Sequence, residues 1–297
     1  MRRERIVIVG AGPAGVSAAV QCKRLGVTPC LLDRDGQAGG LIANAFRIEN
    51  LAGVAPCSGP TMARRLQEHL SRFELTAEQA EVEEIARGST GLFVEGSMGE
   101  ISADAVILAP GTRPLPLDVP GLSASSECVF SEVRALLRQV PHPASALVIG
   151  GGEAAFDYAL SLAAAGAAVT VVMRSRKPKA CRRLVDAVAG EPAITVLTGT
   201  TPLAYAEGSS LVMLELDRPD VGDHLTAECM LVAIGRVSRA PDLLDPGFGS
   251  VGGAEIKPFP GVPLFLGGDA RHGGLGQLAM AFGDGLAAAA RAVDVVT

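Results

Sequence analysis

Apolar residues in this chain fall in short, nearly unbroken runs, with little of the alternation that marks a half-exposed sheet. Within residues 5–9 one run follows Arg5 in RERIVIVGAG; others lie at 146–149, at 168–173 with Thr170 within it, and at 264–266, and the ends of AVILAPG and MLVAIG read alike. Such runs predict strands buried on both faces of a parallel sheet. Between them lie Ala-rich stretches of helical length: residues 13–25, a stretch ending near 165, and a closing helix beginning near Leu275. Strand and helix in alternation is the grammar of an α/β fold. A further short helix is expected where Val133, Leu136, Leu137 and Val140 recur at helical intervals, with Ser131 as its N-cap and Pro141 as its stop.

Two of these strands run directly into glycine clusters. After the first come Gly10, Gly12 and Gly15 in G-x-G-x-x-G, with Pro13 and Ala14 between them, then a helix and a second strand at 28–32 that ends in Asp33. Gly10 permits a tight turn, Gly12 lets the backbone approach a pyrophosphate, and Gly15 lets the helix pack on the strand. The helix N-terminus offers N–H groups and a positive dipole end to phosphate, while Asp33 is placed to accept hydrogen bonds from adenosine ribose hydroxyls. About 140 residues later the pattern repeats as Gly150, Gly152 and Ala155 in G-x-G-x-x-A, around Glu153 and Ala154. Here no carboxylate ends the second strand. Arg174, Arg176 and Lys177 stand there instead, with Arg182 and Arg183 soon after. Guanidinium groups welcome a 2′-phosphate that an acid would repel, so NADPH is favoured over NADH at this site.

Composition narrows the picture further. The 297 residues suffice for two domains, and 36 glycines with nine Phe, two Tyr and no Trp suit close packing of helices on sheets. A net charge of −6 argues against a nucleic-acid binder, which trades cations for phosphate counterions. MRRER leads straight into the first strand without a signal-peptide core, and no apolar stretch reaches the length of a membrane span, so a cytoplasmic protein is expected. The six cysteines, at 22, 30, 57, 128, 181 and 229, nowhere form C-x-x-C and suit neither a disulfide framework nor a metal site. His69, His142 and His224 have no evident chemical partner.

Strand ends at APGTRP and AIGRVSRAP read as the outward and return crossings of an inserted domain. The predicted organisation is therefore two Rossmann-like dinucleotide-binding domains, one of residues 1–112 and 240–297, the other of residues 113–239 inserted into it.

In order, GAGPAG, GQAGGLIANAFRIENLAG, ILAPGTRP, IGGGEAAFDYA with MRSRK, AIGR, and FLGGDARHGGLGQLAMAFGDG resemble the two-dinucleotide-binding-domain flavoprotein family over essentially the whole chain. The likeness is to its low-molecular-weight thioredoxin-reductase branch. The resemblance implies that the split domain holds FAD and the inserted domain NAD(P)H. It places Gly10, Gly12, Pro13, Ala14 and Gly15 at the FAD pyrophosphate and Asp33 and Arg34 at the adenosine ribose. Gly39, Gly40, Leu41 and Asn50 fall beside the flavin, with Ala109, Gly111, Gly268 and Asp269, and Gln277, Leu278 and Ala279 at a helix start near the pyrimidine end. It places Gly150, Gly152, Glu153, Ala154, Ala155, Arg174, Arg176, Lys177, Ile234 and Gly235 at the nicotinamide nucleotide.

The chain departs from that branch at its redox centre. The family's C-x-x-C precedes the second glycine fingerprint, where this chain has SSECVFSEVRALLRQVPHPASALVIGGG, with one cysteine. Cys128 lies 22 residues before Gly150, farther than the family's second cysteine, and the places nearer that spacing are 132–135. The glutathione-reductase-like branch keeps its cysteines after the GG turn, where this chain reads LIANAF; the bacillithiol-disulfide type has one in the first glycine motif, where Ala14 stands. Cys57, Cys128 and His272 remain the candidates for chemistry, the last as a proton donor beside the flavin. Glu49 and Asn50 align with a segment near the flavin, while Glu153 and Asp157 read as solvated or capping carboxylates of the second fingerprint helix.

The expected activity is that of an FAD enzyme taking hydride from NAD(P)H and passing electrons to an external acceptor without a dithiol of its own. A small redox protein such as ferredoxin or flavodoxin, a quinone, a small disulfide or oxygen would serve. A disulfide reductase or dithiol oxidase with thiols from a partner, and a flavin-binding sensor or subunit, stay open as alternatives. The family further implies a homodimer.

Overall fold

A computed structural model describes residues 2–88, 91–123, 125–208, 211–217, 224–243, 262–272 and 276–297. The chain forms two compact units. The first comprises Met1–Ala43, Ile48–Arg113 and Val237–Thr297, and the second comprises Asn44–Arg47 and Pro114–Arg236. Chain crossings lie at Thr112–Pro114 (β7) and Arg236–Ser238 (β16), which pair as a two-stranded sheet.

In chain order the first unit begins with β1 (Arg2–Val9), α1 (Pro13–Arg24), β2 (Cys30–Asp33), a 3-10 turn at Gly40–Asn44, and α2 (Gly59–Arg72). It continues with β3 (Ala77–Gln79), β4 (Val82–Arg87), β5 (Leu92–Gly96) and β6 (Gly99–Leu108). After the inserted unit come β17 (Asp242–Leu243), β18 (Leu264–Leu266), α6 (Asp269–His272) and α7 (Leu278–Val296). The predicted helix start at Leu275 lies outside the described residues, and α7 opens at Leu278. The sheet runs β17-β4-β5-β6-β1-β2-β3, with β18 parallel to β6. β1 is its spine, parallel to β2 on one side and β6 on the other. Ile6 and Ile8 point to the layer of α1, α2 and α7, while Val7 and Val9 point to the opposite face, the two-residue alternation of a strand buried on both sides.

The second unit holds β8 (Val129–Phe130), α3 (Val133–Gln139), β9 (Ser145–Ile149), α4 (Glu153–Ala164), β10 (Ala168–Met173) and α5 (Arg182–Ala189). Then follow β11 (Ile194–Thr198), β12 (Pro202–Glu207), β13 (Val212–Leu216), β14 (His224–Ala227) and β15 (Cys229–Val232). A parallel sheet of order β11-β10-β9-β15-β8 is accompanied by an antiparallel sheet β12-β13-β14. Strand, glycine turn, helix, parallel strand thus occurs twice, as β1-α1-β2 and β9-α4-β10.

Ser131 is not the cap of α3. The helix starts one residue later than that reading allows, and Glu132 at the N-cap place makes no side-chain cap of its own. Asn44 Oδ1 accepts the N–H of Arg134 (3.1 Å) from a segment 90 residues away, and does the capping instead.

Candidate functional site

At the first fingerprint each glycine answers a separate constraint. Gly10 leaves β1 at φ +98°, where a side chain would run into the carbonyl of Ala109, and a Cβ on Gly15 would run into the carbonyl of Gly10. Gly12 occupies the N-cap of α1 without a side-chain cap, and a Cβ there would meet nothing within 4 Å. The α1 N-terminus therefore opens on clear space.

Three distant segments converge on it. Asp33 Oδ2 accepts the Ala11 N–H (2.8 Å) and its Oδ1 that of Asp35 (2.9 Å), tying the end of β2 to the glycine turn. Gly39 (φ +128°) donates to the Ala11 carbonyl (2.9 Å), and a Cβ on Gly40 would stand 3.3 Å from Gly12 Cα. A Cβ on Gly268 would stand 3.0 Å from Ala14 Cβ, so the turn that carries Asp269 rests on the first turn of α1. The result is a cradle walled by backbone, which fits a dinucleotide pyrophosphate in both space and amide supply. Asn50 Nδ2 donates to Gln277 Oε1 (2.6 Å), bringing together two residues far apart in sequence, and Gln277 sits at the N-cap of α7 without capping it. Leu278 and Ala279 open that helix. Leu41 lies in the 3-10 turn, and Gly111 turns the chain at φ +66° after Ala109 leaves β6. Arg34 instead pairs with its neighbour Asp35 (3.3 Å) in an exposed turn. His272 closes α6, and its side chain lies outside the described residues.

The second fingerprint repeats the geometry. Gly150, at φ +143°, abuts the Ala233 carbonyl as Gly10 abuts that of Ala109. Gly152 is the uncapped N-cap of α4, again facing open space, with Glu153, Ala154 and buried Ala155 in the first turn. Past β10 the chain folds back so that the Lys179 N–H reaches the Gly151 carbonyl (2.7 Å), a contact no sequence pattern marked. The same loop carries Arg174, Arg176 and Lys177, all exposed and without a salt bridge among the described residues, whereas Arg182 is taken by Asp186 (2.8 Å). Ile234 is exposed, and Gly235 turns at φ +137°.

Asp157 departs from the solvated or capping reading. It is part-buried on α4 and accepts the N–H groups of Phe46 (2.8 Å) and Arg47, holding Asn44–Arg47 in the second unit. Burial pushes its carboxyl up to about 6, against the opposing pull of those two hydrogen bonds. Glu132, one of the positions nearest the family's dithiol, accepts from Asn44 Nδ2 (3.3 Å) and Arg236 Nη2 (3.3 Å).

All six cysteines are unpaired. Burial pushes the thiols of Cys22 and Cys229 up to about 12 and that of Cys30 up to about 11. Cys128 packs at the edge of a core, and its thiol is also raised, by burial first and then by a hydrogen bond to Glu207. That carboxylate also accepts from Ser126 and from Tyr205 (2.8 Å) and lies below its ordinary range, chiefly through the bond from Ser126. Cys57 exchanges two backbone bonds with Ile48, and Arg65 Nη1 approaches its sulfur at 3.6 Å. Glu49 lies in the loop between those two residues. Among the histidines, His69 stacks edge-on with Phe73, His142 Nδ1 lies 3.5 Å from the Ala165 carbonyl, and His224 begins β14. Among the described residues no group of side chains could hold a metal ion, and no helix is long and apolar enough to cross a membrane.

Two sheets, one mixed and one parallel, each with a glycine-walled and uncapped helix N-terminus at the end of a buried parallel strand, define a protein with two dinucleotide-binding folds. The family model for pyridine nucleotide-disulphide oxidoreductases matches residues 4–255, and the chain belongs to that family. It is 29% identical over 175 residues to thioredoxin reductase of Bacillus subtilis (59% of this chain, 55% of that one). It is 30% identical over 195 residues to glucosaminate ammonia-lyase of Pseudomonas fluorescens (63% of this chain, 58% of that one). The chain thus spans little more than half the length of these two curated relatives. The crystal structure of T. acidophilum thioredoxin reductase superposes with a TM-score of 0.84 at 25% identity, covering 100% of both chains. The architecture is thioredoxin-reductase-like throughout.

Proposed function

We propose that the protein is an FAD enzyme that accepts hydride from NADPH in preference to NADH and delivers electrons to an acceptor outside its own chain. FAD supplies the hydride-accepting ring; the chain supplies binding, orientation and charge. Gly12 and the first-turn amides of α1 would hold the FAD pyrophosphate, Asp33 the adenosine ribose, and the Gly39–Gly40 and Gly268–Asp269 turns the middle of the dinucleotide. The uncapped start of α7 favours negative charge beside it, as reduction of a flavin creates. Gly152 and α4 would hold the nicotinamide dinucleotide, with Arg174, Arg176 and Lys177 facing its 2′-phosphate.

The observation that carries the reading is the pairing of two glycine-walled cradles in a chain whose sequence contains no C-x-x-C. Burial first, and then a hydrogen bond to Glu207, disfavour ionisation of Cys128, and the nearest equivalent of the family's dithiol position carries the Asn44–Glu132–Arg236 network. The Pseudomonas relative is named for an ammonia-lyase activity, so likeness to thioredoxin reductases does not assign a thiol acceptor. Anaerobic mixing of the purified yellow protein with each nucleotide tests the proposal: NADPH should bleach the flavin rapidly and NADH more slowly. No bleaching with either would refute it.

A further inference from the structure

Asp284 is a buried carboxylate that the chemistry above does not use. It stands in the second turn of α7 at 8% exposure, beside the small cluster of Ala14, Ala109 and Ala281. Its Oδ2 accepts the N–H of Gly268 (3.2 Å), and its Oδ1 pairs with Arg271 Nη1 (2.9 Å). Burying the carboxylate end of an ion pair is a poor way to stabilise a fold, because its desolvation offsets the attraction, and here the Arg271 end is 43% exposed and screened by water. The surroundings show what this one arranges. Gly285, the next residue, packs directly on the backbone of Ala14, and Ser17 Oγ donates to the Phe282 carbonyl (2.8 Å), so the height of α7 against α1 is set. Asp284 is thereby level with the first turn of α1. It draws Gly268 to that level, where Gly267 and Gly268 both lie on Ala14, and Asp269 follows at once.

We propose that Asp284 is a positioning residue for cofactor binding: it fixes the Gly267–Asp269 turn at the α1 N-terminus, so that Asp269 addresses the dinucleotide held there. This rests on the FAD reading above. Asp284 acts through Gly268 and Asp269 and does not touch the cofactor, so the hydrogen-bond acceptor matters and the chemistry of the flavin ring is unaffected.

The test compares Asp284→Ala, Asp284→Val and Asp284→Asn with wild type after removal and re-addition of FAD. The Kd for FAD is measured by fluorescence quenching, and the folding of each apoprotein by circular dichroism and thermal melting. Loss of the acceptor in Asp284→Ala should raise the Kd at least tenfold, and Asp284→Val serves the same purpose if the smaller side chain does not fold. Asp284→Asn, which keeps an oxygen for Gly268, should restore the Kd to within about threefold of wild type while leaving the flavin spectrum unchanged. A folded Ala or Val variant with wild-type Kd would overturn the proposal. So would an Asn variant as weak as the folded Ala or Val variant, since the charge and not the acceptor would then be what matters. Wild-type protein that binds no FAD would sink the underlying reading instead.

Discussion

Two glycines of α7, two residues apart, should respond in opposite directions to the same substitution. Gly283 is exposed, and a Cβ there would meet nothing within 4 Å. Gly283→Ala should therefore show the bare helix-propensity gain of about 0.5–1 kcal/mol. Gly285 faces α1. A Cβ on it would stand 3.0 Å from the carbonyl carbon of Ala14 and 3.0 Å from Ser17 Cβ, and closer still to the Ala14 carbonyl oxygen. Ordinary carbon contacts lie at about 3.5–4.0 Å, and a backbone carbonyl within a helix cannot swing aside as a flexible side chain can. The helices must separate by several tenths of an ångström or more, an overpacking that costs about 1–3 kcal/mol and outweighs the propensity gain. Urea unfolding of the two apoproteins under identical conditions reads the result directly. Gly283→Ala should move to higher urea and Gly285→Ala to lower, with about 1–3 kcal/mol between them. Equal stability, or a more stable Gly285→Ala, would show that α1 and α7 are not packed as closely as described. Separation of these helices also shifts Asp284, so Gly285→Ala should weaken FAD binding while Gly283→Ala should not.

Further expectations concern charge and thiols. Asp157 has its carboxyl raised from 3.8 to about 6 in the folded protein; the folded state thus binds the extra proton between those values, and this group's contribution to stability falls as pH rises through about 6. The stability difference between wild type and Asp157→Asn should drift against wild type by about 2–3 kcal/mol from pH 4 to pH 7, and a flat difference in urea titrations would refute the assignment. Replacing both Arg174 and Arg176 by Ala should raise the KM for NADPH at least tenfold and leave that for NADH within about twofold, and an unchanged NADPH to NADH ratio would remove the basic loop from nucleotide selection. Cys181 is exposed whereas Cys22, Cys30 and Cys229 are buried; alkylation of native protein at pH 8 followed by peptide mapping should find Cys181 modified first and those three protected. Cys128→Ser should bleach with NADPH at the wild-type rate, and a large loss would restore a redox role to that thiol.

What the sequence made legible and what it hid differ in the range of the interactions involved. The two glycine fingerprints were legible because the turn from strand to helix demands glycine locally: Gly10 and Gly150 turn at positive φ, and Gly15 packs on the Gly10 carbonyl. The unbroken apolar runs likewise matched strands buried on both faces, as Ile6 to Val9 show. The contacts that shape the surroundings of the site are hydrogen bonds between side chains and distant backbone or side-chain groups, and they leave no local period. Asn44 reaches Arg134 across 90 residues, Asp157 reaches Phe46 across 111, and Asn50 reaches Gln277 across 227.

The misplaced cap of α3 shows how such a contact defeats a sound local rule. Ser131 before an apolar helical repeat is a good start signal, yet capping requires only that some oxygen reach the first amides, and that oxygen can come from anywhere in the chain. Asn44 provides it, and its amide nitrogen also bonds Glu132. The segment just after the GG turn is thereby committed to the helix that begins at Val133. That no cysteines form a C-x-x-C is a property of the sequence. That the one cysteine in the interval before the second fingerprint is disposed against ionisation comes first from burial and then from Glu207, 79 residues on, whose carboxylate accepts from Ser126 and Tyr205 as well as from Cys128. Reactivity of a thiol follows its electrostatic neighbours and not its spacing, which is why motif counting could register the missing pair but not the state of the cysteine that remains.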